Sequence, residues 1–193
     1  MIWIFLVLAI IVGLLKGGKF KRLGNLNFRL LWIFILALIL QYLIVLFGGA
    51  NQQLITKYVK EVYIASYVLL FIGLIINIKN KPLIIVLLGT LSNFIAFILN
   101  DGKIPVLAEG LKLIGMGNIV SSLKSGELIL YTNITDATQY GFLGQIITVP
   151  KPFPFPAIFS IGDLIIGFGL YIFIESTMTN PEFDRSGGFV FKR

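Results

Sequence analysis

Histidine and cysteine are both absent from the 193 residues. Without cysteine there is no disulfide, thiolate nucleophile, iron–sulfur cluster or thiolate zinc site. Without histidine the usual zinc and haem ligand and the usual near-neutral acid/base are missing. A Ser-His-Asp or Cys-His arrangement is therefore impossible, and any chemistry must rest on Asp, Glu, Lys, Tyr, Ser, Thr or backbone groups. Charge is also scarce: 13% of residues are charged and only 9 are acidic. A soluble domain carries about 25% charged and about 45–50% apolar residues. Here 57% are apolar and mean hydropathy is +0.93. That balance excludes a soluble enzyme, a disordered tail and a nucleic-acid-binding module. No Gly-rich nucleotide motif followed by Lys occurs, so a kinase or ATPase is not indicated. No cofactor and no metal site are expected.

What is present is a series of apolar runs. A helix needs roughly 20 mostly apolar residues to cross a bilayer, within a range of about 17–25. The first run, 1–15, is short but uncharged and ends at Lys16. No basic residue precedes it and no small-residue cleavage pattern follows, so it reads as a retained helix rather than a signal peptide. Further spans are expected at 30–47, stopped by Gly48-Gly49, at 62–78, at 83–99 and at 157–174. Residues 50–61 read as a polar loop.

Lys and Arg set the orientation of such a chain, and short loops weigh most. Segment 16–29 carries five (Lys16, Lys19, Lys21, Arg22, Arg29), turn 79–82 carries Lys79 and Lys81, and the tail carries Arg185, Lys192 and Arg193. Loop 50–61 has two. The net charge of +7 is thus a topology signal rather than a nucleic-acid footprint. It places the N-terminus outside and the C-terminus in the cytoplasm. The expected organisation is four transmembrane helices over 1–100, an outer, extracytoplasmic segment over 101–156, a fifth helix over 157–176 and a cytoplasmic tail over 177–193. The fold class is an all-α polytopic bundle of about five spans.

The outer segment is too apolar for a linker. Val106, Leu107, Leu111 and Ile114, and then Ile119, Val120, Leu123 and Leu130, recur at helical spacing and predict two short amphipathic helices separated by Gly115-Met116-Gly117. They would lie flat on the membrane or cap the bundle. Residues 141–149 predict a short extended piece. Proline then occupies positions 150, 152, 154 and 156. Each fixes its own φ and disfavours helix at its predecessor, which predicts an extended strap. Phe153, Phe155 and Phe159 are expected at headgroup depth, and Pro156 is expected to open the last helix.

One residue stands out chemically. Asp163 lies in Phe159-Ser-Ile-Gly-Asp-Leu-Ile-Ile-Gly-Phe-Gly169, about 10 Å into a helix that starts at Pro156, at 1.5 Å per residue. An acid within a span costs about 2.5–3.5 kcal/mol on insertion scales and should face the bundle interior or water. Its role is either an ion, proton or catalytic site, or a hydrogen-bonded tie between helices. Ser160 is a candidate local partner. Thr90, Ser92, Asn93, Asn100 and Asp101 come from the fourth span, and Asn93 and Asn100 share a helix face. Asp136 is a third outer acid, and Lys103 the nearest base. The candidate constellation is Asp163 with Asp101 or Asp136 as possible catalytic acids. Ser160, Asn93 and Asn100 join Asp163 as substrate or ion ligands. Ser160, Gly162, Gly167 and Gly169 are small enough for close helix packing.

The stretch Asn100-Asp-Gly-Lys-Ile-Pro-Val106, with Ser160-Ile-Gly-Asp163 at the last helix, resembles a family of uncharacterised bacterial multi-pass membrane proteins. In that family a Met-Pro or Ile-Pro motif precedes an outer segment and a Ser-x-Gly-Asp motif opens the last helix. The resemblance implies a location in the bacterial cytoplasmic membrane and no assigned activity. Phe159-Ser-Ile-Gly-Asp163 is also similar in rhythm to the last catalytic motif of lipoprotein signal peptidases. Their Asn is Ser here, their Ala is Gly, and Leu164 follows the acid. Their Gly-Asn-x-x-Asp-Arg motif is not matched, because Gly117-Asn-Ile-Val-Ser121 lacks the acid.

These features lead to a non-enzymatic structural or accessory membrane protein. One alternative is a small transporter, proton-coupled or for a lipid-like substrate, that uses Asp163. A second is an intramembrane aspartyl enzyme near the outer face. Expected partners are the lipid bilayer and a second copy of the chain or another membrane protein, and not nucleic acid.

Overall fold

The structure is a computed structural model that describes residues 2–26, 28–47 and 52–184. Its helices are α1 (Ile2–Leu15), the single turn α2 (Lys21–Gly24), α3 (Leu31–Phe47), α4 (Gln52–Ile76) and α5 (Pro82–Leu99). The segment that follows holds β1 (Ile104–Val106), α6 (Ala108–Leu113), α7 (Val120–Lys124), β2 (Tyr131–Asn133), β3 (Ile147–Val149) and β4 (Ala157–Phe159). The long α8 (Ile161–Thr179) closes the fold. Among the described residues, three helical stretches are long and apolar enough to cross a membrane: Lys57–Ile76, Pro82–Leu99 and Ile161–Thr179. Two shorter apolar helices, Ile2–Leu15 and Leu31–Ile44, accompany them. Gly48-Gly49 and the tail cations Arg185, Lys192 and Arg193 lie outside the described residues.

Helix α8 is the hub, packed between α1 and α5. Its glycines explain how. A Cβ on Gly162 would press on Asn93 and on the Gly89 carbonyl of α5, one on Gly167 on the Phe5 ring of α1, and one on Gly169 on Val86 of α5. Helix α3 packs on α4, and this pair meets α5 through a smaller contact. The basic loop after α1 folds under the bundle. The Arg22 guanidinium donates to the Met178 carbonyl at 2.7 Å, and Lys19 N donates to the same oxygen at 2.9 Å. Both place donors on the negative end of α8. Lys16 pairs with Glu175 at 2.9 Å, and that hydrogen bond raises the Lys16 ammonium above its ordinary value.

Asn77 fixes the same loop. It accepts from Arg29 N and donates to the Arg29 and Gly73 carbonyls, each at 2.8 Å. Asn77→Ala removes all three bonds from a buried position and should cost about 2 kcal/mol. Unfolding in mixed micelles against SDS mole fraction measures that loss.

The segment 101–160 has a small core of its own, from Val106, Ala108, Leu111, Ile114, Val120 and Leu123. It also caps one end of the bundle, where Leu130 packs with Val59, Tyr63, Tyr67 and Phe97. The side chain of Asn100 staples it to α5, donating to the Gln139 carbonyl at 2.9 Å and accepting from Gln139 N at 3.1 Å.

Several local expectations are corrected. The described residues form two small sheets beside the helices: β1 pairs parallel with β2, and β3 antiparallel with β4. Residues 52–61 are helical, because nothing between Gln52 and Phe71 breaks a helix. Helix α6 stops at Leu113 and α7 at Lys124, shorter than their apolar periodicity suggests. The proline run is the loop of the β3–β4 hairpin rather than an extended strap. Phe153 N donates to the Pro150 carbonyl at 3.2 Å, across a cis Lys151–Pro152 bond. Phe155 meets Trp3 edge to face at 4.6 Å, whereas Phe159 is buried. Pro156 does not open the last helix, because residues 157–159 are held by strand pairing.

Candidate functional site

The last helix begins where its side chains can satisfy the first backbone N–H groups. Ser160 has extended dihedrals and is the N-cap of α8. Its hydroxyl accepts from Asp163 N at 2.9 Å, while Ser160 N donates to Asp163 Oδ2 at 3.1 Å. This is a reciprocal capping box, with an acid near the positive helix end. Asp163 therefore sits in the first turn of α8, not two turns below its start.

Asn93 of α5 completes a closed ring. Its Nδ2 donates to Asp163 Oδ1 at 2.8 Å, and the Ser160 hydroxyl donates to Asn93 Oδ1 at 2.7 Å. The two partners fix the amide orientation. Both carboxylate oxygens of Asp163 act as acceptors, and a carboxylate has about four acceptor positions. Two positions remain for another donor.

Asp163, Ser160 and Asn93 line a cavity of about 610 Å³ between the α3–α4 pair and the α5–α8 pair. Much of its polar lining lies toward the capped end, with Tyr63, Tyr67, Tyr131 and Gln145, while Gln41 and Thr90 line it along the bundle. The three phenol hydroxyls bond to no described residue, yet no buried side-chain N or O among the described residues lacks a partner. Tyr63 and Tyr67 are almost wholly buried as residues, so their hydroxyls reach the cavity. Burial, with the Asp163 carboxylate as a second cause, raises the Tyr131 phenol above its ordinary value. At neutral pH it stays a donor. Toward the loop end the lining turns apolar, with Phe34, Leu74, Leu83 and Leu170. On α5 it runs from Leu83 to Ala96, about 20 Å at 1.5 Å per residue.

The capped end is roofed by Ile104, Tyr131, Gly144 and Gln145. The flank is not closed in the same way. Ile2, Leu31 and Leu38 line the cavity although they are 36%, 54% and 59% exposed. The exposed part of the lining thus belongs to α1 and α3.

The other sequence-derived candidates lie elsewhere. Asn100 caps α5 and holds Gln139. Asp101 is fully exposed and faces Lys60 at 3.9 Å. Asp136 is exposed in the turn after β2. None of the three lines the cavity, so Asp163 meets no second acid there among the described residues. No group of three His, Cys, Asp or Glu suited to a metal occurs among the described residues. The tyrosines were missed from sequence. Tyr63 and Tyr67, four apart on one helix face, carried a signal; Tyr131 arrives through the non-local β1–β2 pairing.

No solved structure matches the chain. An uncharacterized protein of Thermotoga maritima is 26% identical over 174 residues, which cover 90% of this chain and 89% of that protein. A family of unknown function, DUF5317, is matched over residues 25–175, and the chain belongs to that family.

Proposed function

We propose that the chain is a non-enzymatic integral membrane protein that takes up a lipid-like amphiphile from the bilayer. The observation that carries this is the cavity: most polar under the cap, mostly apolar along the bundle, and lined on its flank by exposed residues of α1 and α3. Its volume falls in the range of about 300–1,000 Å³ typical of small-molecule sites. An apolar tail would replace bilayer contacts along α3, α4, α5 and α8, while a head group would meet Asp163, Gln145 and the tyrosine hydroxyls. In this reading all five apolar helices cross the bacterial cytoplasmic membrane, with the cap outside. The Lys- and Arg-rich segments supply the cytoplasmic charge.

This reading keeps the accessory role expected from the sequence and gives it a ligand. It also favours a lipid-like substrate over aspartyl catalysis. That chemistry rests on two carboxylates sharing a proton, and Asp163 lines the cavity without a second one among the described residues.

Native mass spectrometry of protein released from native membranes tests the reading. One amphiphile should be retained per chain. Leu170→Trp, which fills the apolar half, should lower that occupancy at least tenfold. Phe168→Trp, on the exposed face of the same helix, should retain it. Equal occupancy in both variants, or none in the parent protein, would overturn the reading.

A further inference from the structure

The polar end of the cavity holds one carboxyl group, that of Asp163, and no base among the described lining residues. The ring with Asn93 and Ser160 supplies two donors to the carboxylate and leaves about two acceptor positions open. Three tyrosine rings line the same cavity. Tyr63 and Tyr67 are 6.2 Å apart between ring centres, and Tyr131 packs against their cluster. Tyr63 stacks one face on Phe97 and Tyr67 one face on Phe71. A carboxylate with aromatic rings around it attracts an ammonium group, and the attraction strengthens away from water. A phosphate or carboxylate head would meet the Asp163 carboxyl with no Lys or Arg among the described lining residues to pair with.

We infer that the amphiphile this cavity selects carries a cationic amine head, set against Asp163 and the Tyr63, Tyr67 and Tyr131 groups, on a single apolar tail. The inference rests on the amphiphile reading above and adds the head-group class. One tail follows from the size of the cavity, about 610 Å³, which suits one drug-sized ligand; a phospholipid with two full acyl chains is larger.

The test uses the full chain in nanodiscs and three probes with the same tail: dodecylamine, dodecanol and dodecyl phosphate. Each displaces a fluorescent long-chain alcohol. Dodecylamine should compete at least tenfold better than dodecanol, and dodecyl phosphate at least tenfold worse. In Asp163→Asn the amine-to-alcohol ratio should collapse toward one. The ratios in the unmodified protein stand as a test even if that variant fails to fold. Tyr67→Leu should lower the ratio in part, through loss of one ring.

Two failures are distinguishable. If dodecanol competes as well as dodecylamine, the cationic head is wrong and the amphiphile reading survives. If dodecyl phosphate competes best, the cationic head is likewise overturned. If the fluorescent alcohol itself does not bind, the amphiphile reading fails first, and the head-group inference with it.

Discussion

Gly162→Ala should cost about 3 kcal/mol, the upper part of the usual overpacking range, and should also disorder the polar end of the cavity. The added methyl would lie against Asn93 Oδ1 and within 2.8 Å of the Gly89 carbonyl. Neither can retreat cheaply. The Asn93 amide is held by Asp163 on one side and Ser160 on the other, and the Gly89 carbonyl is helix backbone. The partner glycine makes the same point from α5, since a Cβ on Gly89 would approach the Gly162 carbonyl to 2.6 Å. By contrast Gly24→Ala meets nothing within 4 Å and should change stability by less than about 0.5 kcal/mol. Unfolding in mixed micelles compares the two directly. Equal stabilities would mean that α5 and α8 do not approach as described.

Asn93→Leu should be similarly severe, at about 3 kcal/mol. It leaves Asp163 Oδ1 without its donor and the Ser160 hydroxyl without its acceptor, and the loss is larger where the stranded group is charged. The ring should also show as coupling. Asn93→Leu combined with Asp163→Leu should cost less than the sum of the two single changes by at least about 1 kcal/mol. Strict additivity would show that the two side chains do not bond.

Much of this site was legible in the chain. An acid in an otherwise apolar run marks a place that must be satisfied, and Ser160 is its nearest polar neighbour in sequence. Asn93 was recognisable as a polar residue on an apolar helix. Its seven-residue relation to Asn100 was equally visible, but helical spacing gives a shared face and not a shared partner. The cap decides the difference, because Gln139 takes Asn100 at the rim while Asn93 points to Asp163.

The depth of Asp163 was misread for a related reason. Apolar residues 157–159 continue the apolar run into α8, and composition cannot separate strand from helix there. Pairing with residues 147–149 does. The alternating prolines constrain their own φ and their neighbours' conformations, yet they carry no information about the hairpin that bends them. The exposed flank of the lining was not legible at all. It arises because α3 packs on α4 while α1 packs on α8, a pairing that no single apolar run encodes.

The most direct measurement concerns where a tail lies. A long-chain alcohol with a photoactivatable diazirine at its tail end is mixed into proteoliposomes, irradiated, and its adducts are mapped by mass spectrometry. If the cavity takes up the amphiphile, adducts fall on the inward-facing set Phe34, Leu74, Leu83 and Leu170, and unlabelled alcohol displaces them. Adducts confined to outward residues such as Ile75, Leu88 and Phe168, with none on the inward set, would contradict the account.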